Sequence, residues 1–280
     1  MQSVVRALLL VLPALVLAPL AHAGHGAERG ADLTAAIDDV AERGLGIAEP
    51  MVFDLVCDLG APRGTAEVNA LAIIPLDGAD PSVWEIAPEF EYAVADGFAL
   101  ELELPIEDGE LESIKVAVQG TFGRRGRFIH GTQFIAERLL HDDAWDLALL
   151  YVPGYRFDDT WSTISLIGVG ALVGPDVEDE LGALVNTTLF ADVTDHTIVG
   201  VEINLAWVPG GATSLLLMPQ VHFELSDSVD LQIGVGAIYL DGDGETGVPS
   251  PGSAIEGGLN VVPNGSGWYP QIAARLIYNF

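Results

Sequence analysis

The sequence predicts an all-β fold: a transmembrane, antiparallel, up-and-down β-barrel of about twelve strands, preceded by a short, partly helical N-terminal leader. Three observations predict it. Apolar side chains recur at every second position in segment after segment from about residue 66 onward; these segments run to about 10 to 13 residues, longer than soluble strands; and the connections alternate between short turns built on Asp and longer acidic loops.

The chain opens with Arg6, the apolar run from Ala7 to Leu20, and Ala21-His22-Ala23. A positive start, an apolar middle and small residues at the third-last and last positions form a secretory signal peptide, with cleavage after Ala23. Residues 1–23 are therefore set apart as a signal peptide, 24–64 as a leader and 65–280 as the barrel. In the leader, Ile37, Val40 and Ala41 have helical spacing, with Asp32 or Thr34 as cap. Met51-Val-Phe-Asp-Leu-Val-Cys57 is an apolar run that could dock the leader to the barrel, so residues 24–64 are either a periplasmic lead-in or a plug of the lumen.

Composition narrows the function classes. A formal charge of −30, with 41 acidic against 11 basic side chains, excludes nucleic acid as a partner through simple repulsion. A hydrophobic content of 50% excludes disorder and supplies a core or a lipid-facing surface. After the signal peptide no stretch reaches the roughly 18 apolar residues of a spanning helix. Cys57 is the only cysteine, so no intramolecular disulfide forms.

The strands follow from the alternation. Phe98, Leu100, Leu102 and Leu104 alternate with Ala99, Glu101 and Glu103; Val199, Val201, Ile203, Leu205 and Trp207 alternate with Gly200, Glu202 and Asn204. Period two is the signature of a strand with two unlike faces. Counted this way, strands fall at 65–76, 83–95, 97–106, 111–123, 127–139, 143–156, 160–172, 182–193, 196–208, 213–225, 228–240 and 268–280, an even number as a closed bacterial barrel requires. Region 127–139 alternates poorly, and Pro219, in mid-strand with no N–H to donate, calls for a bulge or a different boundary.

Short turns centred on Asp96, Asp158, Asp195 and Asp227 fall at every second connection, each beside an aromatic strand end. An Asp carboxylate accepts bonds from nearby backbone amides, which suits a tight turn. The intervening connections are longer, above all Asp241 to Gly267. Short turns on the periplasmic side and long loops outside are the asymmetry of outer-membrane barrels.

The last strand, Arg275-Leu-Ile-Tyr278-Asn-Phe280, resembles the C-terminal recognition signal of Gram-negative outer-membrane proteins. The resemblance implies export to the outer membrane, contact with its lipids and lipopolysaccharide, and insertion by the barrel-assembly machinery, with Tyr278 and Phe280 as the signal. The hairpin Pro88-Glu-Phe-Glu-Tyr92 to Leu100-Glu-Leu-Glu-Leu-Pro105 also resembles the outer-membrane transporters grouped with the phenol-degradation-pathway proteins, a family with no catalytic motif to carry over.

If the apolar parity faces lipid, the other parity lines the lumen. It carries Glu89, Glu91, Glu101, Glu103, Asp146, Glu202 and Glu224 against Lys115, Arg156 and Arg275. A water-filled lumen of this charge favours cations, and a ring of about twelve strands leaves room only for small solutes. Hence the leading expectation is a narrow, cation-preferring channel or transporter for small solutes. The alternative is a closed structural or surface-interaction barrel whose charges merely pair across the interior. A barrel-wall lipid hydrolase would draw on His130, His141, His196 or His222, but neither a G-x-S-x-G elbow nor a His-x-Ser-Asn arrangement accompanies them, so no catalytic residue is assigned. No cofactor is expected. Asp241, Asp243 and Glu245 offer oxygen ligands to Ca²⁺ in a glycine-rich loop without the length or closing Glu of an EF-hand, and the acidic outer loops could meet the divalent cations that bridge lipopolysaccharide.

Overall fold

The computed structural model describes residues 45–53, 55–76, 84–141, 143–175, 180–208, 213–241 and 266–280. The signal peptide, the helical spacing at 34–43, Asp243 and Glu245 lie outside them. Among the described residues every regular element is a strand: β1 (Ala66–Pro75), β2 (Glu85–Ala95), β3 (Phe98–Glu103), β4 (Ile106–Glu107), β5 (Glu110–Leu111), β6 (Ser113–Arg125), β7 (Phe128–Leu139), β8 (Ala144–Arg156), β9 (Trp161–Val173), β10 (Glu180–Thr194), β11 (Thr197–Trp207), β12 (Thr213–Ser226), β13 (Val229–Asp241) and β14 (Gly267–Asn279).

Strands β4 and β5 form a two-residue hairpin on the rim, and the other strands make a closed 12-stranded barrel in up-and-down order. The ring closes where β1 pairs antiparallel with both β2 and β14. The third wall strand, expected to run to residue 106, breaks at Leu104-Pro105 and resumes as β4 against β2. Pro105 has no N–H for the ladder, which accounts for the break.

The two parities separate as the alternation requires. On β11, Val201, Ile203, Leu205 and Trp207 stand exposed on the outside, while Glu202, Asn204 and Ala206 are buried inside. The same holds for outward Phe90, Tyr92, Leu100 and Leu102 against inward Glu89, Glu91, Glu101 and Glu103. Exposed Trp84, Trp145, Trp207 and Trp268 ring the long-loop rim; Tyr92, Tyr155, Trp161 and Tyr278 ring the short-turn rim. An apolar band between two aromatic girdles is the surface of a barrel immersed in a bilayer.

At the short-turn rim, Asp158 Oδ1 accepts the N–H groups of Thr160 (2.9 Å) and Trp161 (2.8 Å), and these donors hold its carboxyl below the usual range. A further short turn, Arg124-Arg125-Gly126-Arg127, is basic and escaped the Asp pattern. Register shifts precede four of the short turns, at Ala93/Ala95, Thr121/Gly123, Asp192/Thr194 and Glu224/Ser226. Such bulges add local twist where the chain must reverse.

Pro219 needs neither a bulge nor a new boundary. The β12–β13 ladder omits Met218 and Pro219 and resumes in the same register, from Leu217–Ala237 to Gln220–Gly234. Pro153 does the same between β8 and β9, from Tyr151–Ile167 to Gly154–Ile164. Each proline forgoes pairing on one side only, since Val201 opposes Pro219 and His130 opposes Pro153 on the other. A glycine stands by each gap: a Cβ on Gly168 would lie 1.9 Å from the Leu149 carbonyl oxygen, and one on Gly236 would lie 2.1 Å from that of Leu217. Gly168→Ala is therefore expected to force β8 and β9 apart at a cost of about 1–3 kcal/mol or more, read as a lower urea midpoint of the refolded barrel. Gly123→Ala, where a Cβ meets nothing within 4 Å, should leave the midpoint unchanged.

Candidate functional site

The lumen is occupied by the chain's own N-terminal segment. It enters at the short-turn rim, where Arg156 Nη1 donates to the Gly46 carbonyl at 2.8 Å, and reaches Glu202, midway along β11. It then returns to the same rim, where Gly97 N–H donates to Ala61 O and Gly64 N–H donates to Ala93 O, each at 2.8 Å, before β1 begins.

Inside, its backbone is satisfied by wall side chains, as a buried non-helical segment demands. Glu202 Oε2 accepts the N–H groups of Met51 and Val52, both at 3.0 Å, and Oε1 accepts that of Phe53 at 2.8 Å. Asn204 and Gln220 donate to the same carboxylate from the wall. Glu91 accepts the Cys57 N–H, and Gln119 Nε2 donates to the carbonyls of Val56 (2.9 Å) and Cys57 (2.8 Å). Cys57 holds a left-handed backbone, φ +59°, uncommon for a residue that carries a side chain.

Apolar packing completes the fit. Phe53, Leu55, Val56 and Leu59 share a buried cluster with Ile129, Ile135, Leu150, Ile164, Leu184 and Phe190 of the wall, and Met51 and Val52 join Leu71, Ile73, Leu216 and Met218. This explains the poor alternation of residues 127–139. Ile129, Ile135, Gln133 and Glu137 all point inward on β7, because that wall meets an apolar segment beside a polar one. Glycines make the space: a Cβ at Gly154 would come within 3.0 Å of Ile47, and one at Gly234 within 2.4 Å of Met51.

The residues singled out by parity fall as follows. Glu89, Glu91, Glu101, Glu103, Lys115, Asp146, Glu202 and Arg275 are all buried on the inner face. Lys115 bridges Glu101 (3.4 Å) and Glu103. Arg275 binds Glu89, donates to Asn69 Oδ1 (3.0 Å) and reaches the Pro50 carbonyl (3.4 Å), so it joins β14, β1, β2 and the inserted segment. Carboxylate oxygens of Glu89, Glu91 and Glu101 come within 4.8 Å of one another.

Arg156 and Glu224 sit instead at the short-turn rim, Arg156 paired with Asp192 and Glu224 exposed beside His196 at 3.1 Å. Tyr278 and Phe280 are exposed, their rings edge to face at 4.9 Å. Asp241, at the end of β13, accepts from Ser266.

Glu67, Asn69, Glu85, Gln119 and Glu137 also line the interior, beyond the residues that alternation alone singles out. The register of β1 against β2 would have supplied two of them, since Glu67 lies opposite Glu91 and Asn69 opposite Glu89. The histidines are engaged apart from one another. His130 faces outward beside Tyr151, His141 pairs with Glu112, and His222 bonds Gln220.

Two acids of the inserted segment tie its seating to pH. Asp58 is exposed to solvent at the barrel mouth, but the segment and wall crowded around it thin its hydration, and with the nearby Asp230 this pushes its carboxyl up to about 6. Burial, then Glu67, Asp58 and Glu91, raise Glu49, with Arg275 opposing. A raised carboxyl favours the seated state in its neutral form. Seating is therefore strongest below the free-carboxyl value near 4 and weakens as pH rises through about 6. Hydrogen exchange of the Val52 and Phe53 amides, corrected for intrinsic rates, is expected to show less protection at pH 8 than at pH 5, and Asp58→Asn should shrink that difference.

A family profile described as HAEPLYID-like matches residues 45–128, which hold the inserted segment and the wall through β6. Read as residue codes, the eight letters of that description coincide with Ile47 to Asp54 at Ala48, Glu49, Pro50 and Asp54. No curated protein matches the chain. Among solved structures, the NanC porin superposes with a TM-score of 0.55 at 8% identity, over 77% of this chain and 100% of its own. The KdgM porin gives 0.54 at 9% identity, over 76% and 99%. An outer-membrane channel from Pseudomonas putida F1 gives 0.55 at 12% identity, over 80% and 98%. The narrower resemblance to the phenol-degradation-pathway transporters receives no support from these matches. The chain folds as an outer-membrane β-barrel of the porin and channel architecture.

Proposed function

We propose that this barrel is a narrow outer-membrane channel for small solutes, held closed by its own N-terminal segment, with a lumen that prefers cations when the segment withdraws. The observation that carries the reading is the path of residues 45–64, which enter and leave by the same rim. A segment so placed can withdraw as a loop without threading the barrel. Its polar anchors are side chain to backbone bonds, each worth about 0.5–1.5 kcal/mol net, and so of reversible strength. The inward acids outnumber Lys115 and Arg275, which supports cation preference. In this reading the protein reaches the outer membrane after cleavage at Ala23, and Tyr278 and Phe280 serve its assembly.

A second reading, a permanently closed barrel, is favoured by the apolar inner wall around Leu150, Ile164 and Leu184, which water would meet once the segment left. Planar-bilayer recording separates the two. Rare openings of the wild type, made frequent and cation-selective by Glu202→Ala, support the channel. Silence from both proteins, each folded by heat-modifiability, supports the closed barrel. In the opened variant, Glu101→Gln with Glu103→Gln should shift the reversal potential toward loss of cation selectivity.

A further inference from the structure

Three of the 11 basic side chains of the protein stand together in one short turn, Arg124-Arg125-Gly126-Arg127 between β6 and β7. The chain as a whole carries a formal charge of −30, and the other short turns hold Asp96, Asp158 with Asp159, Asp195 and Asp227. Positive charge is therefore concentrated in one sector of an otherwise acidic rim. All three arginines are exposed. Arg124 Nε turns back to the Gly126 carbonyl at 3.3 Å and Arg127 Nη1 donates to the Phe157 carbonyl, whereas Arg125 gives no hydrogen bond and no ion pair to the described residues. The flanking carboxylates are engaged by backbone: Asp96 accepts the Arg63 N–H at 2.8 Å, and Asp158 accepts those of Thr160 and Trp161 while lying toward Arg127 and Arg156.

The register places Arg125 on the lipid side. It lies opposite Phe128 in the β6–β7 ladder, and directly opposed residues share a face of the sheet. That face is the outer one. Phe128 stacks on outward His130 with ring centroids 5.2 Å apart, and Phe122 and Tyr151 meet the same ring edge-on at 5.8 Å. Phe122 and Tyr151 are both exposed, so a free guanidinium stands at the rim end of an aromatic patch that continues down the lipid-facing wall. Short turns of outer-membrane barrels face the periplasm, and the leaflet on that side is glycerophospholipid, with lipopolysaccharide in the other. A guanidinium matches a phosphate through paired N–H bonds, and the rings beneath it match acyl chains.

We propose that this sector binds one anionic glycerophospholipid, its phosphodiester on Arg125 within the field of Arg124 and Arg127, and its acyl chains against Phe122, Phe128 and Tyr151. The site needs only the folded barrel in its bilayer and no conductance, so it stands or falls apart from the channel reading.

The test is native mass spectrometry of the full mature chain, refolded in detergent and supplied with phosphatidylglycerol or with phosphatidylcholine of the same acyl chains. One retained phosphatidylglycerol per barrel is expected, with little phosphatidylcholine. Arg125→Gln should weaken that retention at least about fivefold, the loss of one arginine at an anionic surface. Arg138→Gln, the same change of charge at the opposite rim, should leave it as in the wild type. A second reading needs no variant to fold: the Arg125 Nε–Hε resonance should move with dihexanoyl phosphatidylglycerol and stay in place with inorganic phosphate. Equal retention of the two lipids, equal loss in Arg138→Gln, an Arg125 resonance that follows inorganic phosphate as closely as the lipid, or displacement of phosphatidylglycerol by equimolar lipopolysaccharide would each overturn the proposal.

Discussion

Glu202→Ala is expected to free the N-terminal segment and make Cys57 reactive. In the wild type this carboxylate receives three consecutive backbone N–H groups, at 2.8–3.0 Å, deep inside the barrel. Alanine leaves Met51, Val52 and Phe53 without that acceptor, and each orphaned buried N–H costs about 1 kcal/mol or more. Three together weaken seating by at least about 3 kcal/mol, on the order of a hundredfold in the equilibrium between seated and released forms. Cys57, 2% exposed and the only cysteine of the chain, reports the change. Its labelling by a membrane-impermeant maleimide should be slow in the wild type and faster by that factor in the variant. Glu202→Gln, which keeps one oxygen acceptor, should fall between them. Labelling of the alanine variant at the wild-type rate, with the barrel intact, would mean that the segment is held by apolar packing alone.

The second large effect is expected at Arg275. The guanidinium is 1% exposed and binds Glu89, Asn69 and the Pro50 carbonyl from the last strand. Arg275→Met keeps much of the side-chain length and removes the charge, leaving Glu89 beside Glu91 and Glu101 without its counter-ion. Breaking one side of a buried pair costs about 3–5 kcal/mol, enough to lower the denaturation midpoint strongly. Adding Glu89→Gln to Arg275→Met should recover part of the loss, because the uncompensated charge goes with it. If Arg275→Met alone matches the wild-type midpoint, the bridge across β14, β1 and β2 contributes nothing to stability.

Much of this was legible in the chain. Twelve strands could be placed to within a few residues, because alternation is a local signal: each outward Val, Leu or Phe reports its own parity and its neighbour's. The same parity marked Glu89, Glu91, Glu101, Glu103, Lys115, Glu202 and Arg275 as inward. The Asp turns were visible for the same reason, as Asp158 bonds only to residues two and three positions onward. Where local rules failed, a distant partner was responsible. Residues 127–139 looked irregular because their inner face meets Leu59 and its neighbours, and Pro219 looked forbidden because the tolerance of the facing strand at Gly236 is not written beside it.

By itself, then, the sequence determined the barrel, which parity of each strand turns inward, and its acidic interior, since strand period, turn chemistry and charge are properties of neighbouring residues. Only the tertiary structure decided that the interior is filled and by what. The contacts that seat Met51 on Glu202 join positions 151 residues apart. No local pattern encodes a pairing of that span; it exists only once the wall has closed around the segment.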